Sequence, residues 1–281
     1  MKNIIEITNL VKQYDTFTLG ELSLQIPKGE IIGLIGENGA GKTTLIKTIL
    51  GIVAPTSGSI SILANKDATS KEIGVVLDNM FFPEILTPND IDSIMKDIYQ
   101  NWDEELFLSY LKSFAIPQNK PLKKLSKGMR KKVEIASALS HHPKLLILDE
   151  PTTGLDPVVR SEVLDIFLDF IQDEEHTILL STHITSDLEH IADRIVFLDK
   201  GKILLDKEKD EIIDKYGLLK CEQENFDKIS KEDIIAYKKN RYNYDILISD
   251  REKAKKKYKK FCIDKITLED LMLLMIKGER L

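Results

Sequence analysis

Apolar positions along this chain fall in short runs whose length and period change from one region to the next. Ile4 to Leu10 and Thr18 to Ile26 alternate apolar and polar residues in part, as half-exposed antiparallel strands do. Ser59 to Leu63 reads as a third short strand, with Pro27-Lys-Gly29 and Pro55 to Gly58 as turns. Ile31 to Ile35 and Leu145 to Leu148 are unbroken apolar runs, and the second has the look of a parallel strand buried on both faces. Ile178 to Leu180 is a further apolar run. From about 83 to 140 the period becomes helical. Pro83 and Pro88 punctuate its start, and Asn89 is expected to cap a helix reaching about Tyr99. Asp103 is expected to start another that ends before Pro117, with Leu106, Phe107, Tyr110 and Leu111 at helical spacing. A later stretch predicts a helix over Asp187 to Ala192, a strand over Arg194 to Leu198, a turn at Lys200-Gly201-Lys202 and a strand over Ile203 to Leu205.

From about 212 the pattern changes. Tyr244 to Ile248 and Phe261 to Ile266 read as strands, with a helix expected between Asp250 and Lys260. That lysine-rich helix fits a solvated face, or contact with anionic lipid. Thr267, followed by Glu269-Asp270, opens a last apolar helix over Leu268 to Ile276. The segment is expected to form a small α/β appendage for dimer contact or for regulation.

The chemistry concentrates at the ends of these runs. Gly36-Glu-Asn38-Gly39-Ala40-Gly41-Lys42-Thr43 has the spacing of a loop that cradles phosphates, set between an apolar strand and a helix starting at Lys42. Glycines there let successive backbone N–H groups face one anion, and the helix adds its positive end. Lys42 is placed to reach the outer phosphates, and the Thr43 hydroxyl to ligate Mg²⁺. Asp149 and Glu150 follow the strand Leu145 to Leu148, at the carboxyl end where open α/β sheets bind ligands. Asp149 would hold Mg²⁺ through its water shell, and Glu150 would polarise an attacking water. Ser126, in Leu125-Ser-Lys-Gly-Met129, is a good helix N-cap, and Ser181-Thr182-His183 is a polar cluster at a strand end.

In this order these motifs resemble the ATPase subunit of an ATP-binding cassette (ABC) transporter over about residues 3 to 210. The resemblance implies α/β class: a P-loop NTPase core with a mostly parallel sheet, an antiparallel β-subdomain and a helical subdomain. It divides the chain into an ATPase domain, 1–210, with the helical subdomain at 83–140, and a C-terminal accessory α/β domain, 211–281. Residue by residue, Tyr14 matches the aromatic that stacks on adenine. Gly36 to Thr44, with Asn38, Gly39, Ala40, Gly41, Lys42 and Thr43, matches the Walker A loop. Ser126, Lys127 and Gly128 fall in the signature motif. Asp149 and Glu150 match Walker B and the catalytic base, Gly154-Leu155-Asp156 the D-loop, and His183 the histidine that contacts the γ-phosphate. The cofactors implied are ATP and Mg²⁺. The partners implied are a separate transmembrane permease and a second ABC ATPase subunit, identical or not, that takes Ser126 and Gly128 to its own ATP. The groove between helical subdomain and core would receive a short helix of the permease, with Met80, Phe81 and Phe82 near its entrance unless they are ordinary core.

Two departures from the family pattern stand out. Asp78 occupies the place of a glutamine that senses Mg²⁺ and the attacking water; shorter and charged, it would bind Mg²⁺ more directly, or too rigidly. Lys127 and Met129 replace a glycine and a glutamine of the signature, and Lys127 either adds charge near the γ-phosphate or points to solvent. The Leu-Ser-Lys-Gly-Met form resembles ATPases of bacterial ABC-2-type exporters of antibiotics, bacteriocins and amphipathic peptides such as phenol-soluble modulins. The alternative is a soluble ABC-type ATPase acting on nucleic acid or ribosomes. Such proteins usually carry a coiled-coil insertion or two cassettes, and neither is visible.

Composition narrows the reading further. The chain has 281 residues, 42% hydrophobic, enough for one large domain with an appendage. A net charge of −6 implies no general attraction to nucleic acid. The 2 cysteines, Cys221 and Cys262, fit a reducing cytosol and no disulfide framework. No apolar run approaches the ~20 residues that span a bilayer, and no secretory signal opens the chain. The expected location is the cytoplasmic face of a bacterial plasma membrane, held there by the membrane subunit.

Overall fold

The computed structural model describes residues 3–63, 70–78 and 82–280. The ordered elements begin with β1 (Asn3–Gln13), β2 (Thr18–Pro27), β3 (Ile31–Ile35), α1 (Lys42–Ile49), β4 (Ser57–Ile62) and β5 (Ile73–Val76). There follow α2 (Pro88–Ile98), α3 (Glu104–Ser113), α4 (Lys127–Leu139), β6 (Leu145–Asp149), α5 (Pro157–Phe170), β7 (Thr177–Thr182), α6 (Thr185–Ile191), β8 (Arg194–Asp199) and β9 (Lys202–Glu208). The C-terminal part holds α7 (Lys209–Lys215), β10 (Gly217–Glu222), β11 (Ile234–Lys239), β12 (Asn243–Ile248), α8 (Arg251–Lys257), β13 (Cys262–Lys265) and α9 (Leu268–Lys277).

A 6-stranded sheet in the order β5-β6-β7-β3-β8-β9 forms the centre. Its neighbours run parallel except at the edge, where β8 and β9 pair antiparallel. The unbroken apolar runs of β3, β6 and β7 are buried along their whole length, because both faces of the sheet are covered. The period of 2 sorts their side chains. Ile32, Leu34, Leu145, Ile147 and Leu179 face one core with α1 and the 3-stranded antiparallel sheet β2-β1-β4. Ile31, Ile35, Leu146, Leu148, Ile178 and Leu180 face the other core, with α4, α5 and α6. Burying each such aliphatic side chain stabilises the fold by about 1.5–3 kcal/mol.

The helical region has its own core around Phe107, Leu111, Ile91 and Val133. The start of α2 differs from the expectation at Asn89. Thr87 is the N-cap: its hydroxyl accepts from Asp90 N, and the Asp90 carboxylate accepts from Thr87 N, a reciprocal capping box with Pro88 in the first turn. The Asn89 amide instead donates to Asn119 Oδ1 at 2.7 Å. Asp103 caps α3 as expected, accepting from Leu106 N. Phe82 packs half-buried against this core; Met80 and Phe81 lie outside the described residues.

The C-terminal part folds as a 4-stranded antiparallel sheet, β11-β12-β10-β13, with α8 and α9. One side of it shields Leu219, Ile246 and Ile248 with Tyr258. The other side, with Leu271 and Leu274 of α9, joins the core shared with α6. The division drawn at 210 from the sequence falls inside α7. The strands β10 and β11 carried no signal strong enough to be expected. Each is buried at alternate positions for only part of its length, and lysines and a tyrosine interrupt them.

Candidate functional site

Three strands of the central sheet deliver their carboxyl ends to one place. β3 runs into the loop Gly36 to Gly41, β6 ends at Asp149, and β7 ends one residue before His183. The loop turns into α1 through Gly41, whose φ of +110° is closed to most side chains; a β-carbon there would also strike Phe17 at 2.9 Å. No side chain caps α1 and no acid occupies its first turn. Its leading N–H groups and positive dipole end therefore face the loop without a competing carboxylate, the arrangement that binds phosphate.

Lys42 is buried, and its ammonium donates to the carbonyl oxygens of Gly36 at 2.7 Å and Glu37 at 3.3 Å. It also lies 3.3 Å from Glu150 Oε1. The Thr43 hydroxyl donates to Asp149 Oδ2 at 2.8 Å, and Ser181 donates to Asp149 Oδ1, so both carboxylate oxygens are engaged. Asp149 and Ser181 are register partners at the ends of β6 and β7, which is why they meet. Glu150 takes up a backbone φ of +51°, uncommon for a residue with a β-carbon. That conformation turns the chain sharply out of the sheet. The Glu150 carboxylate then accepts from Thr153 Oγ1 at 2.8 Å and contacts His183 Nδ1 at 2.9 Å. Burial pushes the Glu150 carboxyl up, but the bonds from His183 and Thr153 and the Lys42 charge outweigh it and leave it below the usual carboxylate range.

Thus Lys42, Thr43, Asp149, Glu150 and His183 form one connected cluster. Gly36 joins it through the Lys42 bond to its carbonyl, and the other residues expected at the site make no hydrogen bond or ion pair to these side chains among the described residues. Asn38 and Gly39 lie on the exposed outer turn of the loop, and Ala40 is buried with its carbonyl accepting from Gly201 N at 2.9 Å. Thr44 is half-buried, and its carbonyl accepts from Thr48 Oγ1. Tyr14 is 43% exposed, with the Lys12 ammonium 5.1 Å from its ring centre. Phe17, three positions on, has its ring beside Gly41 of the loop. Asp78 is exposed two residues beyond Val76, which pairs with Leu148 of β6; the carbonyl before it, of Leu77, accepts from Lys131 Nζ at 2.9 Å. Ser126 caps α4, its hydroxyl accepting from Met129 N at 3.2 Å. Gly128 is half-buried beside Val159. Among the described residues no hydrogen bond or ion pair joins Ser126 or Gly128 to Lys42 or Glu150. Lys127 is exposed, and its ammonium lies over Gly154, where a β-carbon would come within 2.5 Å of it.

Thr153 and Ser181 were not foreseen as site residues. Both are legible only through partners: Ser181 by its register against Asp149, Thr153 by the sharp turn at Glu150. A second feature lies beside the cluster. A groove of about 500 Å³ between β5 and the helical region is lined by Ile52, Val75, Phe82, Ile98, Tyr99 and His141. Ile52 and Ile98 are each 59% exposed, unusual for side chains of that size. No described helix is long and apolar enough to cross a membrane.

Comparison with known proteins agrees with the geometry. Residues 19–153 match the family model described as ABC transporter. The chain is 38% identical over 213 residues to the lantibiotic transport ATP-binding protein SrtF of Streptococcus pyogenes, covering 74% of this chain and 92% of that protein. It is 34% identical over 212 residues to the bacitracin transport ATP-binding protein BcrA of Bacillus licheniformis, covering 73% of this chain and 69% of that protein. Among solved structures, an ATP-binding subunit of an ABC transporter superposes with a TM-score of 0.66 at 29% identity, covering 74% of this chain and 91% of the other.

Proposed function

Because this chain belongs to the ABC transporter family, as an ATP-binding subunit with ATPase activity, we propose that it hydrolyses Mg²⁺-bound ATP between paired cassettes to drive export through a separate permease. The observation that carries this is the convergence of Lys42, Thr43, Asp149, Glu150 and His183 on one point at the carboxyl ends of three strands. We assign residues 1–210 to the ATPase domain, 83–140 to its helical subdomain and 211–281 to an accessory domain.

Hydrolysis of a phosphoanhydride needs alignment and charge neutralisation more than covalent chemistry. The loop amides and the open end of α1 bind the phosphates, and Lys42 exchanges its contacts with the Gly36 and Glu37 carbonyls for phosphate oxygens. Tyr14 offers an exposed ring face to the adenine. The residues fit Mg²⁺. Thr43 and Asp149 present hard oxygen donors within hydrogen-bond distance of each other, and no cluster of three ligating side chains among the described residues makes a closed protein cage. Mg²⁺ prefers such sites, with one or two protein oxygens completed by phosphate and water. Bound there, it would neutralise charge on the outer phosphate oxygens. Glu150, held ionised, takes the proton of the attacking water, and His183 holds Glu150 while facing the γ-phosphate. Asp78 is assigned to the same ion from the neighbouring strand end.

Ser126 and Gly128 stand away from this chain's own Lys42 cluster, which supports their serving the ATP of a second cassette. The N-terminus of α4 would then point at the opposite γ-phosphate. A ligand that binds the closed pair better than the open one shifts the population toward closure, and its hydrolysis releases it. The groove beside Ile52, Val75 and Ile98 is the surface assigned to the permease, which keeps the subunit at the cytoplasmic face of the membrane. The relatives named for lantibiotic and bacitracin transport support a peptide antibiotic or another amphipathic peptide as cargo.

The test joins two measurements. The purified full-length chain should turn over ATP in a Mg²⁺-dependent way, and from membranes it should co-purify with a multi-span protein. Recovery with ribosomes or DNA in place of a membrane protein would favour the soluble alternative.

A further inference from the structure

Glu150 and His183 meet although they come from different loops, and the Glu150 N–H donates to the Ser181 carbonyl at 3.0 Å, two residues before His183. A second link lies behind them. Thr152, two residues after Glu150, donates its hydroxyl to Asp187 Oδ2 at 2.5 Å. Asp187 stands four residues after His183, in the first turn of α6. Both are 1% exposed. Arg160, in the first turns of α5, donates through Nε to Asp187 Oδ1, and through Nη2 to Ser186 Oγ at 2.6 Å. One buried carboxylate therefore takes a hydrogen bond from the loop that follows the base and a charge-assisted one from the helix that follows Gly154 to Asp156. Its own helix carries the histidine.

A buried carboxylate with both oxygens engaged is costly to dismantle, since a loose partner leaves a charge without compensation. It also permits few alternative geometries, which ties the two loops to each other. Among the described residues no hydrogen bond or ion pair joins Thr152, Arg160 or Asp187 to Lys42, Thr43 or Asp149. Their bonds lead instead to the turn after Glu150 and the helix after His183.

We propose that Asp187 is a positioning residue for hydrolysis: with Thr152 and Arg160 it clamps the turn after Glu150 to the helix after His183, and so sets the distance between base and histidine. This rests on the reading of Glu150 and His183 as the hydrolytic pair. The clamp predicts a defect in the chemical step with ATP affinity preserved, because a small misplacement of reacting groups is expensive in rate and leaves the phosphate loop untouched.

The experiment uses the full-length chain and steady-state ATP turnover, with ATP affinity measured separately by titration of a fluorescent nucleotide. Thr152→Val removes one hydroxyl at nearly constant volume and should lower kcat about tenfold, with KM and affinity within about twofold of the parent. Thr152→Ser restores the hydroxyl and should restore kcat. Asp187→Asn should be at least as impaired, and Thr152→Val combined with Asp187→Asn should be no worse than Asp187→Asn alone, since one contact is lost once. If Asp187→Asn fails to fold, the Thr152→Val and Thr152→Ser pair still decides. The inference is overturned if Thr152→Val keeps kcat, if Thr152→Ser is as impaired as Thr152→Val, or if the loss appears in KM and affinity. A parent chain with no ATP turnover overturns the functional reading as well; an active parent with any of those three results overturns the clamp alone.

Discussion

His183 Nδ1 lies 2.9 Å from Glu150 Oε2, although the two residues are 33 positions apart and leave the sheet on separate strands. The same carboxylate faces Lys42 through its other oxygen. Glu150 thus stands between the group proposed to bind phosphate and the group proposed to face the reacting end, and its burial would raise its pKa if those contacts were absent. Replacing it with glutamine keeps the shape and removes the base. Glu150→Gln is expected to retain ATP binding and to lower turnover by about 10² to 10⁴, the usual contribution of a positioned base. Single-turnover hydrolysis beside nucleotide titration checks it, and near-normal turnover would remove Glu150 from that role.

Lys42 presents the opposite pattern. Its ammonium is buried, and its contacts are loop carbonyls and Glu150, all at the phosphate cradle. Lys42→Ala removes a charge-assisted phosphate contact of about 1.5–3 kcal/mol. ATP affinity should fall by about ten- to a hundredfold. Unchanged affinity in calorimetric titration would mean that the phosphates sit elsewhere.

Asp78 tests how far one departure from the family pattern reaches. Val76 pairs with Leu148, and Asp78 follows the one by two residues as Glu150 follows the other, which supports the proposal that both act at one site. Asp78→Gln removes a hard anionic donor, and the Mg²⁺ concentration for half-maximal turnover should rise. If both Mg²⁺ dependence and turnover stay as they were, Asp78 is a spacer.

Most of this architecture was legible along the chain for a physical reason. Parallel strands covered on both faces leave unbroken apolar runs such as Ile31 to Ile35 and Leu145 to Leu148, and the phosphate loop must follow such a run. Caps with a side-chain oxygen, at Asp103, Ser126 and Thr267, announced α3, α4 and α9 correctly. The start of α2 was misread because Thr87 and Asn89 are both good caps, and only the reciprocal bond to Asp90 decides between them. Contacts that depend on tertiary approach were out of reach. Ser181 against Asp149 needs the β6/β7 register, and Thr152 against Asp187 needs the turn at Glu150. Lys127 was open between the γ-phosphate and solvent; in this chain it remains exposed while its ammonium covers Gly154.

A side chain of α6 bonds the C-terminal unit beside the apolar core that the two share. Glu189 Oε1 accepts from Leu268 N, one of the leading N–H groups of α9, at 2.7 Å. Glu189→Ala leaves that donor without its partner at a cost of about 1 kcal/mol. The thermal midpoint should fall by about 2 °C, because unfolding entropy grows with chain size. Limited proteolysis should cut first in residues 211–281. An unchanged cleavage order would place the attachment in the shared apolar core around Leu271 and Leu274.

His141 makes the helical region sensitive to acid. Its ring is buried, stacked 4.2 Å from Tyr99, with Nε2 3.2 Å from the Ile73 carbonyl. Burial pushes its pKa down, the Ile73 and Ser137 backbone oppose this, and neighbouring His142 adds to the lowering; the net shift is below the ordinary value of 6.5. At this residue the folded state therefore binds less of a proton than the unfolded state once the pH drops below about 6.5. The sign follows: this stability is complete above that pH and is lost as the pH falls toward the lowered value, by up to about 1.4 kcal/mol per pH unit. His141→Gln has no proton to gain, so its denaturant midpoint should fall less steeply between pH 7 and pH 5 than that of the parent. Parallel curves for parent and variant over that range would show that His141 titrates alike in both states, and that another group governs acid unfolding.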